Sequence, residues 1–594
     1  MRTFAAKGKQ THIKDGENVM GIFTKYIKKY WKPFSVAVLF LTLEAVCDLL
    51  QPTIMARIVD VGVANRDLDY VLKMGGVMLG VTLLGALAAS TRSIVASVTS
   101  QNFGTELRFD LFQKIQTLSF KNINRYDRAS LITRLTNDVT QVQMFVNGLM
   151  RIFVKAPLLA LGGLIMATRL NIHLSVVLAV VVPMVAILII ANMRISLPLF
   201  TKVQNALDKV NGVMREYLSG VRVVKAFNRF DYEIAKFSGF NEEFQDRSVA
   251  AARVIATFTP LIMLVMNLGI VVVLWYGGFG IENGTIQVGH VIAFTNYMTQ
   301  ILFSLMMISM VFNMFVRAKT SANRIGEVLA EEDDMKWNQH SSMPTNGGGR
   351  IDFENVSFSY EGAAGEPVLK NITFTCLPGE TVGIIGSTGS GKSSLVGLIP
   401  RFYDVTGGTI KINGKDISKI NPKALREKIS VVPQKATLFT GTVIENIRWG
   451  REDAALEEIE LAVKIADAHK FINDSPEGYE TRIGQGGVNF SGGQKQRLSI
   501  ARALVKKPEI LILDDSTSAV DVATEARIKD SLKKYSKELT CLLIAQRISS
   551  VVDADRIIVL DNGEIVGNGK HKDLLSNCHT YQEIYRSQFG KEAR

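Results

Sequence analysis

The chain has 594 residues, 47% of them hydrophobic and 21% charged, with a formal net charge of +12 and a mean hydropathy of +0.17. That length predicts several domains, the hydropathy is too high for a wholly soluble enzyme and the charge too high for a chain lying wholly in lipid, which leaves a membrane part and a soluble part in one polypeptide. Collagen-like, disordered and disulfide-scaffold classes are excluded, and the four scattered cysteines, Cys47, Cys376, Cys541 and Cys578, form no CxxC pair or histidine cluster that would hold zinc.

The N-terminus is polar and basic, without the short apolar core and small-residue cleavage site of a signal peptide. Ile22, Phe23, Ile27, Tyr30 and Trp31 share a helical face, with Lys25, Lys28 and Lys29 elsewhere on the surface. That pattern predicts a short helix in the membrane interface before the first span, with core packing of the same stripe as the alternative. Six apolar stretches follow, at 34–56, 71–98, 153–167, 172–195, 254–280 and 291–316. Most reach the ~20 residues that cross a bilayer as a helix, and the third is short. Connections near 57–70, 168–171 and 281–290 are short and carry few cations, whereas 103–152 and 196–253 are long, amphipathic and rich in Lys and Arg. The basic side faces the cytoplasm, so six spans leave both termini there. The positive excess therefore needs no nucleic-acid partner. The periodicity of the two long connections predicts helices that continue into the cytoplasm.

After 316 the hydropathy falls. The acidic run 331–334 and the stretch 341–350, with Pro344 and Gly347 to Gly349, predict a linker over 331–350 between a transmembrane domain (1–330) and a second domain (351–594). In the second domain short β-rich runs at 351–353, 381–385, 429–432, 510–513, 541–544 and 556–560 alternate with helical segments. The fold class is thus a six-helix all-α membrane domain with long cytoplasmic helix extensions, followed by an α/β domain with a substantial sheet.

Gly386-Ser387-Thr388-Gly389-Ser390-Gly391-Lys392-Ser393 fits GxxxxGK[ST] between a predicted strand and a predicted helix. Glycines let backbone N–H groups curl around phosphates, Lys392 reaches the outer phosphates, the Ser393 hydroxyl suits Mg²⁺, and Ser394 completes the nucleotide-binding set. The run Leu511-Ile512-Leu513-Asp514 is a buried strand ending in an acid of the kind that holds the Mg²⁺ shell in P-loop proteins.

Phe490-Ser491-Gly492-Gly493-Gln494-Lys495-Gln496-Arg497 closely resembles the signature motif of ATP-binding-cassette (ABC) proteins, with the family's other motifs in order. Tyr360 resembles the aromatic that stacks on adenine, Gln434 the Q-loop glutamine near Mg²⁺, Ser518-Ala519-Val520-Asp521 the D-loop, and Gln546 stands at the switch-histidine position. Arg134 to Val139 and Ser219 to Phe227 look like intracellular loops of bacterial ABC exporters. The resemblance covers nearly the whole chain in the order of an exporter half-transporter. It implies a multi-pass protein of the bacterial cytoplasmic membrane, using ATP and Mg²⁺. It also implies a dimer in which Ser491, Gly492, Gly493 and Gln494 of one chain close on the nucleotide of the other.

The pattern is broken at three places. Asp515 stands where the family usually has the glutamate that serves as base, and a carboxylate misplaced by about 1 Å can cost ~10²-fold in rate. Gln546 replaces a histidine and can donate to a phosphate but carries no positive charge. Gln485 and Gly486 stand where exporters commonly have an acidic and a basic residue. The two catalytic substitutions, Asp515 and Gln546, beside an intact phosphate loop and signature resemble the impaired-site subunit of heterodimeric bacterial multidrug exporters. A slow homodimer is the alternative, as are a lipid flippase, a peptide exporter or an ATP-gated regulatory membrane protein. For the substrate, Glu44 and Asp48 lie i, i+4 on the first span, where they would attract lipophilic cations; a structural pairing with an interior cation is the alternative. Met298, Met306, Met307, Met310 and Met314 with Phe303, Phe312 and Phe315 would suit a promiscuous cavity, or equally ordinary helix packing.

Overall fold

A computed structural model describes residues 17–332, 335, 348–361, 366–535 and 539–590. Its internal contacts divide it into two units, residues 1–116 with 127–331 and residues 117–126 with 332–594. Most of the expected linker, 333–334 and 336–347, lies outside the described residues, as does the side chain of Ile22.

In the first unit six helices are long and apolar enough to cross a membrane: Phe23–Val63, Leu68–Thr117, Arg128–Leu170, Ile172–Ala226, Phe230–Glu282 and Val288–Ala330. Each contains one of the apolar stretches but runs well past it, to between 41 and 55 residues. At 1.5 Å per residue these rods are about two to nearly three times the ~30 Å of a hydrocarbon core. The long basic connections are accordingly helical. The third span corrects the short reading of its apolar run: 153–167 is the end of a 43-residue helical stretch carrying π-helical turns at Arg134–Asp138 and Leu149–Phe153. Asn171 separates the third and fourth helices by accepting from the backbone N–H groups of His173 and Leu174, an N-cap that restarts the helix at once. A buried cluster including Leu174, Leu178, Val181, Phe294, Tyr297, Met298 and Ile301 ties the bundle together.

Among the described residues the expected interfacial helix is not separate from the first span. Glu17–Arg57 is one helix that runs through Pro33. The reason is lateral packing: Tyr26 is only 3% exposed and meets Phe103 edge-on. The Tyr26 and Tyr30 hydroxyls donate to Asp110 and Glu106 of the second helix. Lys25 and Lys29 pair with the same two carboxylates at 2.7 and 2.8 Å, while Ile27 and Trp31 remain exposed. The stripe is therefore split between packing and surface.

In the second unit a six-stranded sheet has the order Glu564–Gly569, Arg556–Asp561, Thr381–Gly386, Thr540–Ile544, Ile510–Asp514, Ile429–Val432. All neighbours run parallel except the first pair. Both faces are covered, which is why these strands read as unbroken apolar runs. Side chains alternate between two cores: Ile510, Ile512 and Leu542 face one, Leu511, Leu513 and Leu543 the other. A four-stranded antiparallel sheet, Leu369–Cys376, Ile351–Phe358, Gly407–Ile412 and Lys415–Asp416, flanks it. All four cysteines are buried free thiols.

Candidate nucleotide site

Ligands of open parallel sheets bind at the carboxyl ends of the strands, and three neighbouring strands here end in Gly386, Asp514 and Ile544. After Thr381–Gly386 the chain loops and enters the helix Lys392–Leu398. Gly391 has φ 98°, and a Cβ there would stand 2.7 Å from Leu369 Cδ2. A side chain is excluded by conformation and by space alike. At Gly386 a Cβ would come within 2.1 Å of the Leu560 carbonyl oxygen. The loop is thus pressed against its sheet with its other side open.

Lys392 curls back over this loop, donating from Nζ to the Gly386 and Ser387 carbonyls at 2.9 and 2.7 Å. Burial pushes its pKa below the usual lysine value, opposed by the carboxylates of Asp515 and Asp514. Those carbonyls hold the ammonium at the cavity wall, where a phosphate would compete for it. Ser393 Oγ donates to Asp514 Oδ1 at 3.2 Å. Burial raises the Asp514 carboxyl above the ordinary range, with the Ser393 hydrogen bond pulling the other way. A hydroxyl and a carboxylate in contact, beside the Gln434 amide, make an oxygen donor set of the hard kind that suits Mg²⁺. When bound, Mg²⁺ neutralises charge on the phosphate oxygens.

Asp515 has φ 47°, and its N–H donates to the Ile544 carbonyl at 3.0 Å. One carboxylate oxygen, Oδ2, accepts from Gln434 Nε2 at 3.1 Å and from Gln546 Nε2 at 3.0 Å. Two of the residues that depart from the family pattern, Asp515 and Gln546, therefore touch each other. Burial raises the Asp515 carboxyl above its usual range, offset in part by the Gln434 hydrogen bond. Gln588, which no motif signals, secures the switch segment by donating to the Gln546 carbonyl at 2.7 Å and accepting from the Ile548 N–H at 2.8 Å.

These groups surround a cavity of about 240 Å³ lined by Thr388, Gly389, Gly391, Lys392, Ser393, Ser394, Gln434, Asp514, Asp515 and Gln546, with Val368 and Ile544 as apolar wall. The spacing of motifs carries no trace of the last two. Ser387 and Ser390 lie in the loop beneath. Tyr360 stands outside the lining but is tied to it, its hydroxyl 2.9 Å from Ser394 Oγ, with the ring 40% exposed. Ser491, Gly492, Gly493 and Gln494 do not line this cavity. Ser491 and Gln494 instead form a reciprocal cap on the helix Gly492–Val505, at 3.3 and 2.9 Å. Gln496 of that helix accepts from the Ala519 N–H at 3.1 Å, which fastens the D-loop segment to the signature. Gln485 and Gly486 sit in a tight turn whose Gly486 carbonyl accepts from Lys495.

The acid pair of the first span has partners of its own. Glu44, 7% exposed, accepts from Arg92 Nε at 2.7 Å and Lys155 Nζ at 2.5 Å, and Asp48 pairs with Lys155 at 2.9 Å. Two carboxylates thus face two cations, a geometry that suits the alternative of a structural pairing. The sixth helix divides likewise. Met298 is fully buried, whereas Phe303, Met306, Met310, Phe312 and Phe315 are exposed on this chain.

Comparison with known proteins gives one picture. Residues 34–306 match the family model of the ABC transporter transmembrane region and residues 369–518 that of the ABC transporter. The chain is 41% identical over 567 residues to YfiB, an ABC transporter ATP-binding protein of Bacillus subtilis (strain 168), covering 96% of this chain and 98% of that one. It is 33% identical over 577 residues to YgaD of the same organism, provisionally named for multidrug export, covering 96% and 99%. A solved bacterial Atm1-family ABC exporter with ATP bound aligns at a TM-score of 0.79 and 25% identity, covering 95% of this chain and 99% of that chain.

Proposed function

Because this chain belongs to the ABC transporter family, as an exporter half-transporter with fused transmembrane and ATP-binding parts, we propose that it exports lipophilic or drug-like compounds as one half of a heterodimer. Its own site binds ATP with Mg²⁺ and hydrolyses it slowly, its signature completes the partner's faster site, and its ATPase domain lies in the cytoplasm. The observation that carries this reading is the single carboxylate oxygen of Asp515 held by Gln434 and Gln546 at 3.1 and 3.0 Å. A general base needs a free lone pair aimed at the attacking water. Here a shortened carboxylate has Oδ2 taken by two amides, which leaves Oδ1 alone to meet a water, and the switch position has no group able to carry positive charge toward the γ-phosphate.

The test is to purify the tagged chain from membranes and identify its companion by mass spectrometry. A similar chain with Glu and His at the positions of Asp515 and Gln546 is expected. Asp515→Glu combined with Gln546→His should then raise turnover at this chain's own site by about 10²-fold, measured with the partner's site silenced. A chain that purifies alone as a dimer with fast, substrate-stimulated ATPase would overturn the reading.

A further inference from the structure

One aromatic outside every motif stands directly behind Tyr360. Tyr403 follows the helix Lys392–Leu398, whose first residues belong to the phosphate loop. Its ring meets Tyr360 edge-on, with centroids 5.3 Å apart and planes at 86°, and meets Phe358 at 5.7 Å. Its hydroxyl accepts from Asn124 Nδ2 at 2.9 Å. Phe120 packs against Phe402 at 4.8 Å and Tyr403 at 6.4 Å. Asn124 and Phe120 belong to the short helix Phe120–Arg125, which lies in the same structural unit as the sheet. That helix also grips the residue next to Tyr360, since Arg125 donates to both carboxylate oxygens of Glu361 at 2.8 Å.

We infer that Tyr403 is a positioning residue for the nucleotide base: it fixes the ring of Tyr360 and links it to the helix Phe120–Arg125. The inference rests on the reading of Tyr360 as the aromatic that stacks on adenine. A half-exposed tyrosine that is free to rotate loses rotamer freedom when a base stacks on it. Tyr360 is spared much of that loss. Its hydroxyl is held by Ser394, and its edge is held by a tyrosine that is itself anchored at ring and hydroxyl. Tyr403 itself touches Phe120, Asn124, Phe358 and Tyr360, none of which lines the phosphate cavity, so a change at Tyr403 separates base recognition from phosphate recognition.

The experiment measures binding of MgATP and of magnesium tripolyphosphate, which has the phosphates without the base, to the full-length transporter in its native complex, with the partner's site silenced. Tyr403→Ala should weaken ATP binding at this chain's site by about 3- to 10-fold, the range of one aromatic pair, and leave tripolyphosphate within about twofold. Tyr403→Phe keeps the ring edge and should restore ATP binding; Tyr403→Leu, which fills the volume, should behave as the alanine variant if that one folds poorly. Equal loss of both ligands, or no loss of either, overturns the proposal. Tyr360→Ala is the control. If it too spares ATP binding, the base-stacking reading fails and the proposal falls with it. If it weakens ATP alone while Tyr403→Ala does nothing, the proposal fails and that reading stands.

Discussion

Asp515 occupies a left-handed backbone conformation, φ 47°, which aspartate and asparagine adopt several-fold more readily than most residues. Backbone geometry and side-chain length thus both favour the short acid that keeps the carboxylate back against Gln434 and Gln546. The same burial has a measurable cost. It raises the folded-state pKa of Asp515 above the ordinary value, so the native state holds this proton more tightly than the unfolded chain does. Stability is then fully present below the unfolded pKa of about 4 and is lost as pH rises through the folded value. Asp515→Asn keeps the backbone preference and removes the ionisation. Without nucleotide, it should unfold at a higher temperature than the wild type near neutral pH, with the gap closing toward about pH 4. A gap that is constant with pH would assign the gain to something other than the carboxylate's charge. The identities at this site were legible in the sequence because the phosphate loop is contiguous and Asp514 ends an apolar run. The clamp was not: Gln434 lies 81 residues and Gln546 31 residues from Asp515, and only the strand order brings their termini together.

Among elements, the six apolar stretches gave the number of spans, since hydropathy depends on composition alone. Where a helix stops depends on caps and neighbours, and so the joined first helix and the long third one were hidden. The charged knot between Glu17–Arg57, Leu68–Thr117 and Lys155–Leu170 shows the same limit. The i, i+4 spacing of Glu44 and Asp48 is plain, yet Arg92 lies 48 residues and Lys155 111 residues from Glu44. Breaking a buried pair by removing one partner leaves an uncompensated charge and costs about 3–5 kcal/mol, whereas an apolar replacement of both partners is often neutral. Glu44→Gln should therefore lower the unfolding temperature in detergent, stranding Arg92, whose Nη1 already has no hydrogen-bond partner among the described residues. Glu44→Met with Arg92→Met should recover most of the loss. Transport of a cationic and of a neutral dye, normalised to protein in the membrane, should fall together in the single variant. Selective loss of the cationic dye at unchanged stability would return the acid pair to substrate recognition.

At the scale of the molecule, the phosphate loop and the signature do not meet in one cavity. The loop Gly386 to Ser393 opens on the space containing Gln434, Asp514 and Gln546, and the signature does not. ABC exporters work as dimers, and a head-to-tail pairing is the arrangement that gives the signature a nucleotide to hold. Gly492 is the position at which to test this, because its surroundings separate charge from damage. A Cβ there would stand 3.4 Å from Ala519 Cβ, an ordinary contact, whereas one on Gly493 would press to 2.9 Å on the Ala519 carbonyl and disturb the D-loop by sterics alone. Under the proposed head-to-tail pairing, the carboxylate added in Gly492→Asp would face the partner's γ-phosphate, where like charges repel. Gly492→Ala adds the Cβ without the charge. ATPase of the complex should collapse in the aspartate variant and stay within about an order of magnitude of wild type in the alanine variant, given the ordinary contact of the added methyl. ATP bound at this chain's own phosphate loop, read by photo-crosslinking of a labelled nucleotide to this chain, should be retained in both. Turnover that survives Gly492→Asp would refute the head-to-tail pairing. Loss of this chain's own nucleotide in that variant would show instead that the signature serves the site of its own chain.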